Sequence, residues 1–279
     1  MSNYRHRKMV TSVMDTVTIL GTRGSMSSVG SEYARFGGNT TCVVLRLAGE
    51  FIVLDAGTGL MECPVPVGDV KKQVKLLLSH PHADHLVGLP LSPLMMDRGV
   101  HIDFYSKTRV GLDAKAQIAR LVSPPLWPVG IEALPADIDF HELPDRLVMG
   151  GVAVDVMEGC HPGGVSLMRL SADGQSVVFI PDCTLTDELF PQLIEFSRGC
   201  SLLLCDGQYS DEEWPYRSKF GHSTWNQAAQ LGVDCGAKRV RIIHHDPTHT
   251  DAFLMEASQQ LNALHPDCSF AMDREEIVL

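Results

Sequence analysis

Between residues 80 and 85 the chain reads His80-Pro81-His82-Ala83-Asp84-His85, three imidazoles and a carboxylate within six positions. No other stretch restricts the fold so much. It follows an apolar run, Val74 and Leu76 to Leu78, that reads as a short buried strand emptying at Ser79 into a loop. Neutral imidazoles and a carboxylate supply borderline N and O donors, which suit zinc and neighbouring divalent transition metals better than calcium or magnesium. Strand ends are where sheets deliver ligands. The fold must therefore hold a metal cradle at a sheet edge.

Later segments repeat the pattern of an apolar run followed by a polar residue. Strand character over Leu147 to Val156 leads to His161, and Ser176 to Ile180 leads to Asp182. Ser201 to Cys205 leads to Asp206, a charged loop leads to His222, and Val240 to Ile243 opens into His244-His245. Groups so distant in sequence meet only if the strands lie side by side with their ends on one edge. Upstream, Thr16 to Leu20, Cys42 to Leu47 and Phe51 to Leu54 are separated by Gly-containing turns, which predicts an antiparallel meander. Helices are expected from Leu86 towards Met96, from Asp187 to Phe196, from a Ser223 or Thr224 cap to Leu231, and from Thr250 or Asp251 to Leu264. Residues 1 to 14 read as a loose terminus. The stretch from Gln117 to Leu143 holds Pro124, Pro125, Pro128 and Pro135 beside Trp127 and reads as an irregular insertion, a candidate lid or dimer contact.

The 279 residues suffice for one large core, and we read them as a single domain. No apolar run approaches the ~20 residues that span a bilayer, and Met1 to Asp15 lacks a signal peptide's apolar core, so a cytoplasmic protein without membrane contact is expected. Eight cysteines without a CxxC pair read as reduced core residues. A net charge of −11 with no Lys/Arg block argues against a long nucleic acid as partner, whose phosphates call for a basic stripe. A small phosphate ester is compatible with it. The Gly21-Thr22-Arg23-Gly24-Ser25 turn leads into a Ser/Gly-rich loop expected to reach over the site, with Arg23 as a candidate phosphate contact.

The His80 to His85 stretch resembles the HxHxDH signature of the metallo-β-lactamase superfamily, and the resemblance extends over nearly the whole chain. It implies an α/β fold, an αββα four-layer sandwich of two mixed sheets flanked by helices. It also implies two divalent ions, zinc first with manganese or iron as alternatives. His80, His82 and His161 would hold one ion, Asp84, His85 and His244 the other, and Asp182 would bridge them, with His245 as the substitute for His244. Asp55, in Leu54-Asp55-Ala56-Gly57, matches an aspartate that supports the metal loop by hydrogen bonding rather than as a ligand. With a hydroxide between the ions the centre keeps about one positive charge, which suits a monoanionic phosphodiester.

Gly221-His222-Ser223-Thr224 resembles the HST loop of the ribonuclease Z branch. That likeness implies His222 as general acid, Asp206 as its orienting carboxylate, and Ser223 and Thr224 as substrate contacts. It also implies a homodimer. No Gly/Lys-rich insertion resembles that branch's tRNA-holding arm, and the glycine-rich turns together with His244-His245-Asp246-Pro247 resemble the anti-Pycsar phosphodiesterases. The expected activity is therefore hydrolysis of a small, cyclic-nucleotide-like phosphodiester, ahead of RNA 3′-end processing and of thioester or lactone hydrolysis. The last would need an apolar acyl pocket near Trp127.

Overall fold

The computed structural model describes residues 14–66, 72–264 and 267–279. The first 13 residues, and with them nearly all of the expected loose terminus, lie outside the described residues. The first half of the chain forms β1 (Thr16–Gly21), β2 (Cys42–Leu47), β3 (Glu50–Leu54), β4 (Lys72–Leu78), β5 (Val100–Ser106) and β6 (Asp137–Glu142). The second half forms β7 (Arg146–Met149), β8 (Val152–Gly159), β9 (Val165–Ala172), β10 (Gln175–Ile180), β11 (Leu202–Asp206), β12 (Val240–Ile243), β13 (Cys268–Phe270) and β14 (Glu275–Val278). Strand β14 returns to the first sheet, giving the orders β14-β1-β2-β3-β4-β5-β6 and β13-β12-β11-β10-β9-β8-β7. Helices are α1 (Ala114–Leu121), α2 (Phe190–Ser197), α3 (Trp214–Arg217), α4 (Trp225–Cys235) and α5 (Asp251–Leu264).

Side-chain alternation builds the layers. Val17, Ile19, Leu45, Ile52 and Leu54 meet Val154, Met168, Leu170, Phe179 and Leu204 between the two sheets. The outward residues Leu76, Leu78, Ile102 and Phe104 pack on Ile118 of α1, while Val178, Ile180, Leu203 and Cys205 pack on Leu193, Leu231 and Leu254 of the other helices. Central strands such as β11, Leu202-Leu203-Leu204-Cys205, are buried on both faces and hence continuously apolar. This is the four-layer αββα sandwich. Strands β3, β4 and β5 run parallel, as do β10, β11 and β12, so their C-terminal ends share one edge.

Several local expectations need correction. After the histidine loop there is no α-helix: short 3-10 turns, including Leu89–Leu91, replace it, because Pro90 and Pro93 deny the backbone two donors. The supposed insertion holds most of α1 and all of β6, leaving irregular chain only between them. Its Asp137-Ile138-Asp139-Phe140-His141 alternates polar and apolar residues, a strand signal hidden by charge. The segment read as one strand over Leu147 to Val156 is a hairpin, β7 and β8, folded at Gly150, whose φ of 55° favours glycine. All eight cysteines are free and only Cys160 is exposed. No helix among the described residues is long and apolar enough to cross a membrane.

Near the edge that carries the site, Asp273 ties three segments together. Its Oδ1 accepts hydrogen bonds from Thr22 N and Oγ1, both at 3.0 Å, and its Oδ2 from Gly38 N and Asn39 N at 3.0 Å. Burial nevertheless pushes this carboxyl up to about 6 from an ordinary 3.8. With the folded value above the unfolded one, the folded protein binds more protons between them, so this contribution is full below about pH 4 and lost as pH rises through 6. Wild type should lose about 3 kcal/mol more than Asp273→Asn between those limits. Urea midpoints against pH for the two proteins check this, and parallel curves would refute it.

Candidate metal centre

The ligand candidates leave the shared strand edge one after another. Asp55 follows β3, Ser79 to His85 follow β4, His161 follows β8, Asp182 follows β10, Asp206 ends β11 and His244 follows β12. The Ser79 carbonyl accepts from Ser166 N at 3.0 Å, which ties the edges of the two sheets together. Asp55 and His244 both have left-handed backbones, φ 60° and 63°, a strained state for residues other than glycine that clusters at functional sites.

Two groups of donors share Asp182, namely His80, His82, His161 and Asp182, and Asp84, His85, Asp182 and His244; Asp206, His222 and His244 make a third beside them. In the first, His82 Nδ1 lies 2.9 Å from His80 Nε2 and 3.0 Å from His161 Nε2, with Asp182 Oδ2 at 3.5 Å and 3.7 Å from those two Nε2 atoms. In the second, Asp182 Oδ1 lies 3.0 Å from His85 Nε2 and 2.9 Å from His244 Nε2, and Asp84 Oδ2 lies 3.3 Å from each. Asp182 therefore turns one oxygen towards each half.

Proton accounting shows why these groups fit cations. Asp55 can only accept, so His85 donates from Nδ1 to its Oδ2 at 2.7 Å. The Gly221 carbonyl likewise receives His161 Nδ1–H at 2.8 Å. Ser79 Oγ spends its proton on Asp55 at 2.8 Å and so accepts His80 Nδ1–H at 3.0 Å. The His80 and His161 rings then turn an Nε2 lone pair inward, towards other lone pairs and the Asp182 carboxylate, while the burial of His85 is overcome by Asp182, Asp84 and Asp55, which push that imidazole well up. Lone pairs and carboxylates converging in a buried space repel unless positive charge sits among them. His85 Nε2 and Asp182 Oδ1 are buried with no hydrogen-bond partner. The residues fit divalent metal ions.

The ionisation states agree. Burial pushes His80, His82 and His161 down, towards the neutral form that ligates. Burial would also lower His244, but Asp182 and Asp84 overcome it and push the imidazole up to about 10. Burial opposes charge on Asp182 and Asp84 too, yet the surrounding histidines hold both well below the usual carboxylate range. The pair calls for cationic charge where the second ion would lie.

His244, not His245, faces this centre. His245 donates to Ala271 O at 3.0 Å and sits among Phe36 and Phe270, where burial pushes it down to about 3. Beside the centre, the His222 ring lies parallel to His244 at 4.8 Å, and its Nδ1 donates to Asp206 Oδ2 at 2.9 Å. Asp206 is fully buried and also accepts from Cys183 N and Gln208 N, each at 3.0 Å, which locks its orientation.

Three expected substrate contacts lie elsewhere. Arg23 is fully buried, donating from Nε to Gly37 O at 2.7 Å and from Nη1 to His249 O at 2.7 Å; it clamps backbone carbonyls that lack other donors. Ser223 is fully buried, with Oγ donating to Cys183 O at 2.6 Å and accepting from Leu185 N at 2.9 Å. Thr224 caps α4 in a reciprocal capping box with Gln227. Each is consumed by local backbone groups.

Other contributors had no readable signal. Ser25 N donates to Asp84 Oδ2 at 2.8 Å, and a Cβ on Gly24 would lie 2.1 Å from His244 Nδ1, so only glycine admits the loop there. Gly221 has a φ of 93°, and a Cβ on it would lie 2.4 Å from His161 Nδ1. Backbone groups carry no side-chain signature, although the glycines that permit their approach are visible.

Residues 51–245 match the model of a family described as beta-lactamase superfamily domain. The ribonuclease Z of Lachnoclostridium phytofermentans is 23% identical, with 94% of this chain and 97% of that protein covered. Among solved structures, the metallo-β-lactamase fold protein YhfI of Bacillus subtilis superposes with a TM-score of 0.70 at 17% identity, covering 94% of this chain and 98% of that one. A diphosphatase of the PhnP family superposes with a TM-score of 0.67 at 17% identity, covering 95% and 98%. With its matched domain spanning both donor groups, this chain belongs to the beta-lactamase superfamily.

Proposed function

We propose that the protein is a phosphodiesterase that uses two divalent ions to hydrolyse a small phosphodiester, a cyclic nucleotide first among them. The observation that carries the reading is the His222–Asp206 pair set against the second donor group. Phosphodiester cleavage must protonate a departing alkoxide, whereas two metal ligand sets alone serve many ester hydrolases. His80, His82 and His161 would hold one ion and Asp84, His85 and His244 the other, with Asp182 between them. When bound, the ions supply an acidified water and positive charge for the phosphoryl oxygens.

The chain's own residues do the rest. Asp206 holds His222 by Nδ1, leaving Nε2 to pass a proton to the leaving oxygen. Asp55 and the Gly221 carbonyl fix the tautomers of His85 and His161. Two divalent ions against Asp84 and Asp182 leave positive charge for one phosphodiester anion, and the −11 overall charge disfavours a long polyanion. Similarity to proteins named ribonuclease Z favours RNA 3′-end cleavage as the second reading. Trp127, half-buried, packs against the core that α1 covers, which speaks against an acyl pocket there.

Zinc- or manganese-loaded protein should convert a member of a panel of 3′,5′- and 2′,3′-cyclic nucleotides to a linear monophosphate, and a chelator should stop it. Chromatography reads the product. Trimming of an RNA 3′ end with every cyclic nucleotide intact would favour the second reading. No cleavage of either class by metal-loaded protein would overturn both.

A further inference from the structure

A second His/Asp cluster lies on β5 and β6 and shares no residue with the metal centre. The parallel register pairs His101 with Asp137, Asp103 with Asp139 and Tyr105 with His141. Alternate residues share a face, so these six stand together while Ile102, Phe104, Ile138 and Phe140 face the core. His101 is the second residue of β5, whose opposite end leads to the site edge, so His101 lies roughly 15 Å from that edge along the strand.

We infer that His101, Asp103 and Asp139, with His141 orienting Asp103, form a separate binding site for a divalent transition-metal ion such as zinc, nickel or copper. One ligand atom from each of His101, Asp103 and Asp139 lies within 4.8 Å of the others. His101 Nδ1 is 2.9 Å from Asp137 Oδ2, while Nε2 is 3.8 Å from Asp103 Oδ1 and 3.6 Å from Asp139 Oδ2. A neutral imidazole has one proton. Donated to Asp137, it leaves the Nε2 lone pair facing two carboxylates, the Asp–His–metal relay that Asp55 and His85 repeat at the main centre. His141 Nε2 donates to Asp103 Oδ1 at 3.0 Å and orients that carboxylate; Tyr105 stacks on the His141 ring at 4.7 Å and steadies it.

Charge points the same way. Among the described residues, no lysine or arginine forms an ion pair with Asp103, Asp137 or Asp139; Lys75, opposite Asp103 in the register, is held by Glu50 at 2.6 Å. One imidazole nitrogen and two carboxylate oxygens make a set that suits zinc, nickel or copper better than calcium, which prefers six or more oxygens.

The test counts zinc in the full-length protein. Desalted, zinc-equilibrated wild type should carry one more ion per chain by mass spectrometry than His101→Ala/His141→Ala, with equal content at the main centre. Copper(II) added to zinc-loaded wild type should give a paramagnetic resonance signal with nitrogen couplings that the double variant lacks. Asp139→Asn, at an exposed position, should weaken the additional ion by about 10-fold or more and keeps the test open should the double variant misfold. Equal zinc content and no difference in copper signal between wild type and both variants would overturn the site and leave a surface ladder of His–Asp hydrogen bonds.

Discussion

Replacing Asp182 by alanine is expected to reduce bound metal from two ions per chain to one or none and to cut phosphodiester turnover by about 10³-fold or more. The size follows from position. Asp182 is buried among four histidines, with Oδ2 towards His80 and His161 and Oδ1 towards His85 and His244. Among the described residues no other carboxylate belongs to both groups. Its loss would take a donor from each group and the negative charge that would balance the ions. The metal-free variant should be less stable than wild type, because the surrounding histidines lose the carboxylate that they hold ionised. Zinc at about 100 times its dissociation constant should stabilise wild type by about 2.7 kcal/mol, a gain the variant should not show. Thermal unfolding with and without zinc, beside metal analysis, measures both effects. A variant that keeps two ions and full turnover would remove Asp182 from the centre.

Exchanging His222 for alanine is expected to lower turnover by about 10²-fold or more while metal content stays the same. Its Nδ1 is engaged by a locked, fully buried carboxylate, and it stacks on His244 without belonging to either of the two main donor groups. Loss of a proton donor should matter most when the leaving group is a strongly basic alkoxide and least when it is a nitrophenolate, which departs without protonation. Comparing an alkyl with a nitrophenyl phosphodiester therefore separates proton transfer from simple loss of packing. An equal decline on both substrates, or a decline that tracks metal loss, would count against the role.

Much of this architecture was readable because metal ligands need side chains, and side chains are written in the sequence. His80, His82, Asp84 and His85 announce themselves by spacing. Asp182, Asp206 and His244 follow apolar strands whose ends could be located from hydrophobic runs alone. The misreadings have a common origin. Arg23 and Ser223 are polar residues on loops beside a site, which the sequence cannot distinguish from residues facing into it. Both turned inward because buried backbone groups of neighbouring loops lacked partners, a demand that exists only once those loops are packed. Strand β6 was obscured in the same way, its charges concealing a core-facing Ile138 and Phe140.

Donor chemistry and the polar ends of several apolar strands came from the sequence alone, because they depend on residue type and short-range periodicity. The tertiary structure decided which of His244 and His245 turns to the centre, which oxygen of Asp182 serves which group, and which tautomer each histidine adopts. It also gathered His101, Asp103, Asp139 and His141 onto one face. These are matters of direction and distance between segments far apart in the chain, and they arise only when parallel strands bring their ends and their registers side by side.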